Sequence, residues 1–108
     1  MANTFKNSFL NAVGTTKASA YTAGSGVQAT VIGMSISNLI TTPISANVIV
    51  TSGGTDYYMI KNATIAPGGA LVPIGGDQKL VLEATDVLSV NTSVASSADV
   101  ITSILEIT

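Results

Sequence analysis

The chain has no histidine, cysteine, tryptophan or arginine, and that removes most of the usual chemistry before any motif is sought. General acid–base catalysis leans on histidine, zinc sites on histidine and cysteine, and bidentate phosphate capture on arginine. What remains is 4 Lys, 6 Asp+Glu and many hydroxyl groups, from which an enzyme would be an unusual construction. Without cysteine there is neither a disulfide framework nor thiol chemistry, so the chain has no need of an oxidising compartment. Charge is scarce as well. Only 9% of residues are charged, against about 25% in ordinary soluble domains, and none lies between Lys17 and Asp56. So low a charge density gives little protection against self-association, and it points to a protein that lives packed in an assembly.

The same scarcity bounds the partners. Affinity for nucleic acid depends on Lys and Arg neutralising phosphates, and four lysines scattered at positions 6, 17, 61 and 79 form no basic stripe. Binding to DNA, RNA or an anionic membrane surface is therefore not expected. The long uncharged stretch is interrupted by Gly24, Gly26, Gly33 and Pro43, so no window supplies the ~20 consecutive apolar residues of a spanning helix. Residues 1–13 lack the apolar segment and small-residue cleavage site of a secretory signal, and the expected place of synthesis is a cytoplasm. The sequons at Asn62 and Asn91 are of the kind that arises by chance where Ser and Thr abound.

What is present in quantity is Val, Ile, Thr and Ser in alternation. Over Gln28–Asn38 the apolar face falls on Ile32, Met34 and Ile36, and over Ile44–Ser52 it falls on Ile44, Ala46, Val48 and Val50. This period of two is that of strands with one face buried. Turn residues recur at Gly24-Ser-Gly26, Thr42-Pro43, Gly53-Gly54, Pro67-Gly-Gly69, Gly75-Gly-Asp77 and Thr85-Asp86. Each supplies a fixed φ or tolerance of positive φ, and Ser52-Gly-Gly-Thr55 is the clearest hairpin. Further strands are expected at about 17–22, 56–61, 70–74, 79–82, 87–92 and 99–107. About eight short strands with regular turns predict an all-β protein, a single antiparallel β-sandwich or jelly-roll-like domain.

The first residues differ in kind, and the chain divides into a short N-terminal arm, 1–14, and a β-sandwich domain, 15–108. Both phenylalanines, Phe5 and Phe9, fall in the arm, and with Ala12 and Val13 they recur at the spacing of one helical face. Two readings are open: the arm folds back and plugs an end of its own sandwich, or its aromatic anchors dock on a neighbouring subunit.

No constellation carries catalysis, a cofactor or a metal. Glu83 and Asp86 are the one close carboxylate pair, too few for a calcium site, and Asp86 suits a turn in which its carboxylate accepts backbone N–H bonds. The doublets Gly68-Gly69 and Gly75-Gly76 lack the Lys-Ser/Thr and helix of a phosphate loop. Of Tyr57 and Tyr58 only one can belong to a sugar-stacking site, because neighbouring strand residues face opposite ways, and the other is expected in the core.

The runs Ala29-Thr-Val-Ile-Gly-Met-Ser-Ile-Ser-Asn38, Ile60-Lys-Asn-Ala-Thr-Ile-Ala-Pro67, Gly75-Gly-Asp-Gln-Lys-Leu-Val-Leu-Glu-Ala84 and Ser103-Ile-Leu-Glu-Ile107, with the opening Met-Ala-Asn-Thr-Phe-Lys-Asn, resemble a group of small virion structural proteins. These come from tailed bacteriophages, notably those of cyanobacteria and other aquatic bacteria. The resemblance covers nearly the whole chain and includes no catalytic motif. It implies a non-enzymatic capsid cement or decoration protein on the outer shell, often a trimer around a local threefold axis, that clamps adjacent capsomers. Phe5, Phe9, Leu10 and Val13 would then anchor the arm to the major capsid protein or to a sister subunit. A neck, tail or baseplate component is the alternative, and a fibre-tip module that binds a host surface is a third.

Overall fold

The computed structural model describes residues 3–75 and 78–108. Over these the chain forms nine strands: β1 (Asn3–Val13), β2 (Ala18–Thr22), β3 (Gln28–Asn38), β4 (Ile44–Ser52), β5 (Thr55–Ile65), β6 (Ala70–Ile74), β7 (Leu80–Leu82), β8 (Val87–Thr92) and β9 (Ala98–Ile107). They make two antiparallel sheets. The first has the order β1-β9-β3, with β6 and β7 both on the far side of β3; the second has the order β2-β8-β4-β5. Beyond the pairs β3–β9 and β4–β8, the pairings nest around the β4–β5 hairpin: β3 with β6 and β7, β2 with β8, and β1 with β9. A long hairpin rolled over on itself in this way is a jelly roll, one variety of β-sandwich.

Alternation decides what lies between the sheets. Val31, Met34 and Ile36 of β3, Ala46 and Val48 of β4, Leu88 and Val90 of β8, and Val100 and Ile104 of β9 are all buried in one cluster. Ile32, expected on the apolar face of β3, is only half-buried, because a register shift between Val31 and Gly33 turns it out of phase. The Ser52–Thr55 hairpin forms as its glycines dictate: Gly53 has φ 60° and Gly54 φ 82°, the two positive values that a type I′ turn needs. At the other end of β3 and β4, buried Asn38 donates to the carbonyls of Thr42 and Ile65, both at 3.0 Å, and accepts from the Ile40 N–H. It thereby closes the loop around Pro43. The turn at Gly75-Gly76-Asp77 lies partly outside the described residues, but Gly75 and Gln78 exchange two backbone hydrogen bonds across it.

Two expectations change. Residues 3–13 of the arm are neither a helical face nor a plug: they are an edge strand of the first sheet, in register with β9 from Asn3↔Ile107 to Leu10↔Val100. The remainder of the arm's first residues, Met1 and Ala2, lie outside the described residues. Neither Tyr57 nor Tyr58 enters the core, since no residue from 51 to 58 is buried. The turn end of the β4–β5 hairpin extends past the packed core, so even the side chain on its inner face meets solvent.

Candidate interaction surface

β1 alternates strictly up to its end. Lys6, Ser8 and Leu10 turn toward the second sheet, where the Ser8 hydroxyl donates to the Ala20 carbonyl of β2, and Lys6 Nζ lies 3.2 Å from Glu106 Oε1 of neighbouring β9. Phe5 and Phe9 turn the other way, 74% and 69% exposed. Between Leu10 and Val13 an extra residue enters the strand. Ala12 takes φ 52°, and its N–H donates to Asp99 Oδ1 at 2.9 Å. This bulge reverses the phase, so Val13, two residues on from Asn11, points into the core at 4% exposure.

The four residues expected to anchor the arm are therefore divided by the fold. Val13 belongs to the core and is closed to a partner, while Leu10 is half-buried and packs against that core. Phe5 and Phe9 stand on the outer surface, and their neighbours are ones that sequence reasoning did not gather. Phe5 lies opposite Leu105, Leu105 opposite Thr30, and Thr30 opposite Val81. Phe9 lies opposite Ile101 and Ile101 opposite Ser35, with exposed Val72 beyond, across the irregular β3–β6 pairing. Between these rows runs a polar one, Asn7, Ser103 and Gly33, in which Ser103 Oγ donates to Asn7 Oδ1 at 2.8 Å. The outer face of the first sheet thus carries two mainly apolar rows across four strands, each with a hydroxyl side chain at β3 and neither with a charged one. A signal was present in the sequence: Ile101, Leu105, Val72 and Val81 occupy the positions that alternation assigns to the solvent side, where Ser or Thr stands elsewhere.

The outer face of the second sheet is polar over part of its area, away from Ile49, which lies opposite Tyr58. Asn47 Nδ2 donates to Asn91 Oδ1 at 2.8 Å, and Asn47 Oδ1 accepts from the Asn62 N–H at 2.8 Å, a polar ladder across three strands. The tyrosines at the hairpin do not make a stacking platform. They lie on opposite sides of β5, and Lys61 Nζ sits 4.9 Å from the centre of the Tyr58 ring.

The described carboxylates are mostly engaged in holding the fold. Asp86 Oδ2 accepts from the Glu83 N–H at 3.0 Å, the turn role expected of it. Asp99 takes the Asn11 amide and the Ala12 N–H. Asp56 accepts from Thr51 and pairs with Lys17 at 3.0 Å; the hydroxyl first, then the ammonium, holds its carboxyl below the usual range. Glu106 accepts from the Tyr21 hydroxyl, and that bond, helped by Lys6, lowers its pKa. Partial burial, then the same carboxylate, raises that of Tyr21. No group of three metal-ligating side chains occurs among the described residues, and Asp77 lies outside them. None of the helices that could cross a membrane is found among the described residues.

No family model and no curated protein matches the chain. Among solved structures, the chain is similar to one described as "Bacillus endospore appendages form a novel family of disulfide-linked pili", with a TM-score of 0.59 and 14% identity over 98% of this chain and 88% of that one. At that identity the likeness is one of fold.

Proposed function

We propose that this protein is a non-enzymatic structural subunit of a bacteriophage virion, a cement or decoration protein that lies on the outer shell and strengthens contacts between capsomers. The observation that carries the structural role is the outer face of the first sheet, where Phe5, Phe9, Ile101, Val72 and Val81 are exposed together on strands rather than on a mobile loop. A monomer in dilute solution gains nothing from such a face, whereas an assembled subunit covers it. A rigid sheet also loses little side-chain or backbone freedom on docking, which favours binding. The virion rests on the sequence resemblance, and the jelly roll is compatible with it, although a fold alone assigns no function. The endospore pilus protein that shares the fold is described as disulfide-linked; a chain without cysteine cannot be joined in that way, and its apolar rows and hydroxyl-rich edges are suited to non-covalent contacts.

Under this reading Phe5 and Phe9 bind the major capsid protein or another virion protein. The test is the copy number of the chain in purified virions, measured by quantitative mass spectrometry against the major capsid protein. Hundreds of copies support a shell-wide cement. About 6 to 12 copies, the number of a small closed ring, would move the protein to the neck, tail or baseplate, and absence from the particle would overturn the virion reading.

A further inference from the structure

We propose that β1 pairs edge to edge with β1 of a second copy of this chain, antiparallel and about a two-fold axis through Asn7. The observation is a symmetry in the strand. Read along the outward face, β1 runs Asn3, Phe5, Asn7, Phe9, Asn11, the same in both directions. The strand bonds to β9 on one side only, and it carries few of the devices that usually blunt an edge. It is 11 residues long, contains no proline and a single lysine, and has its bulge only at the end, between Leu10 and Val13.

A two-fold contact requires that if residue i faces j, then j faces i. With the axis perpendicular to the sheet, outward side chains stay beside outward ones, so the axis must pass through a residue. Three centres keep most of the strand paired. About Lys6, the two lysines stand directly opposite each other, an arrangement that like charges disfavour, and each Phe5 faces an asparagine. About Ser8, Phe9 faces Asn7 and Phe5 faces Asn11, so every aromatic again meets an amide. About Asn7, each Phe5 faces Phe9 of the other copy, Asn3 faces Asn11 and Asn7 faces itself. On the inner side Lys6, held by Glu106 of its own subunit, faces Ser8. Only this register matches aromatic to aromatic and amide to amide along the whole described strand.

The paired molecules share one continuous sheet. The row Thr30, Leu105, Phe5 of one copy runs on into Phe9, Ile101, Ser35 of the other, which doubles the apolar face that the proposed function requires. The pairing goes beyond that reading and does not depend on it, since it concerns two copies of the chain and no shell. It also differs from the trimer implied by the family resemblance, because a self-complementary strand closes as a dimer.

The full chain in solution tests this by sedimentation equilibrium over a concentration series, with single-cysteine variants reporting the register against a background free of cysteine. The expected mass is twice the 10.9 kDa of the chain. Facing residues of antiparallel strands lie about 4.5–5.5 Å apart at Cα, within disulfide reach, so Asn7→Cys links to itself under mild oxidation. Asn3→Cys alone does not, its copies being separated by roughly 27 Å at ~3.4 Å per residue, but mixed with Asn11→Cys it does. Asn7→Lys and Asn7→Glu, at an exposed position, each lose the dimer, and mixing the two restores it; circular dichroism shows that both remain folded. A monomer at every concentration, a trimer, self-linking of Asn3→Cys equal to that of Asn7→Cys, or a dimer indifferent to charge at position 7 overturns the proposal.

Discussion

Thr102 shows what a single atom contributes in this core. Its side chain faces inward from β9, fully buried, and Oγ1 has no hydrogen-bond partner among the described residues. A buried hydroxyl without a partner has lost its water and gained nothing. Thr102→Val keeps the shape and removes that group, and is expected to stabilise the fold by about 1 kcal/mol, seen as a rise of roughly 4–8 °C in melting temperature. The ionisable cluster at Glu106 sets how stability varies with pH. Its folded pKa is depressed, so its contribution is present above the ordinary glutamate range and is lost as pH falls through the folded value. For Tyr21, whose pKa is raised, the contribution is full below the ordinary tyrosine value and is lost as pH rises past it. Urea midpoints measured across pH should therefore fall at both extremes, and Glu106→Gln should flatten the acid limb. Some of this was legible beforehand. Asp86 was identifiable as a turn former because Thr-Asp before a strand has few other uses. The Tyr21–Glu106 contact was not, since 85 residues separate the partners and only the nested pairing of strands brings them together.

Among the elements, most strands declared themselves. β3, β4, β6 and β8 occupy the residues expected of them, because each is a run rich in Val, Ile and Leu bounded by turn residues, even where the alternation breaks, as at Val31-Ile32 and Val48-Ile49-Val50. The Gly53-Gly54 turn is as informative, and it supports a quantitative expectation. With both residues at positive φ, Gly53→Ala or Gly54→Ala should cost about 1 kcal/mol each, measurable by equilibrium unfolding, with no change in the core. β1 misled for a reason that is physical. Phe5 and Phe9 are four residues apart, a spacing that satisfies a helix of period 3.6 and a strand of period 2 alike. Ala12 and Val13 then tipped the pattern toward the helix, because the bulge at Ala12 reverses the phase of the strand at that point. A bulge that depends on Asp99, 87 residues away, leaves no mark in the local sequence. β5 was underestimated for a related reason: past Lys61 the strand passes a bulge at Asn62, φ 57°, and the alternation there starts afresh.

At the scale of the whole molecule, β1 is a structural member and not an appendage, and the two possibilities predict different behaviour. Removing residues 1–13 would uncover the edge of β9 and take Val13 from the core. The truncated chain is expected to aggregate or unfold, observed by light scattering and circular dichroism. Phe5→Ala with Phe9→Ala, by contrast, changes two exposed side chains and should shift stability by no more than about 0.5 kcal/mol each; under the proposed function the same pair of changes reduces attachment to purified particles. The nested topology also governs how the chain folds. Nearly every pairing except β4–β5 joins distant segments, and β1–β9 joins the extremes, so the ordering cost of long loops must be met before contacts reward it. Folding in milliseconds to seconds is expected by stopped-flow fluorescence of the tyrosines, as for other proteins dominated by non-local pairing. One register has a practical side. Because Asn3 lies opposite Ile107, a peptide fused beyond either end would leave the molecule from the same corner. In a pair joined along β1 the two corners lie at opposite ends of the shared strands, so the assembly would display two such peptides, well separated, as a bivalent scaffold.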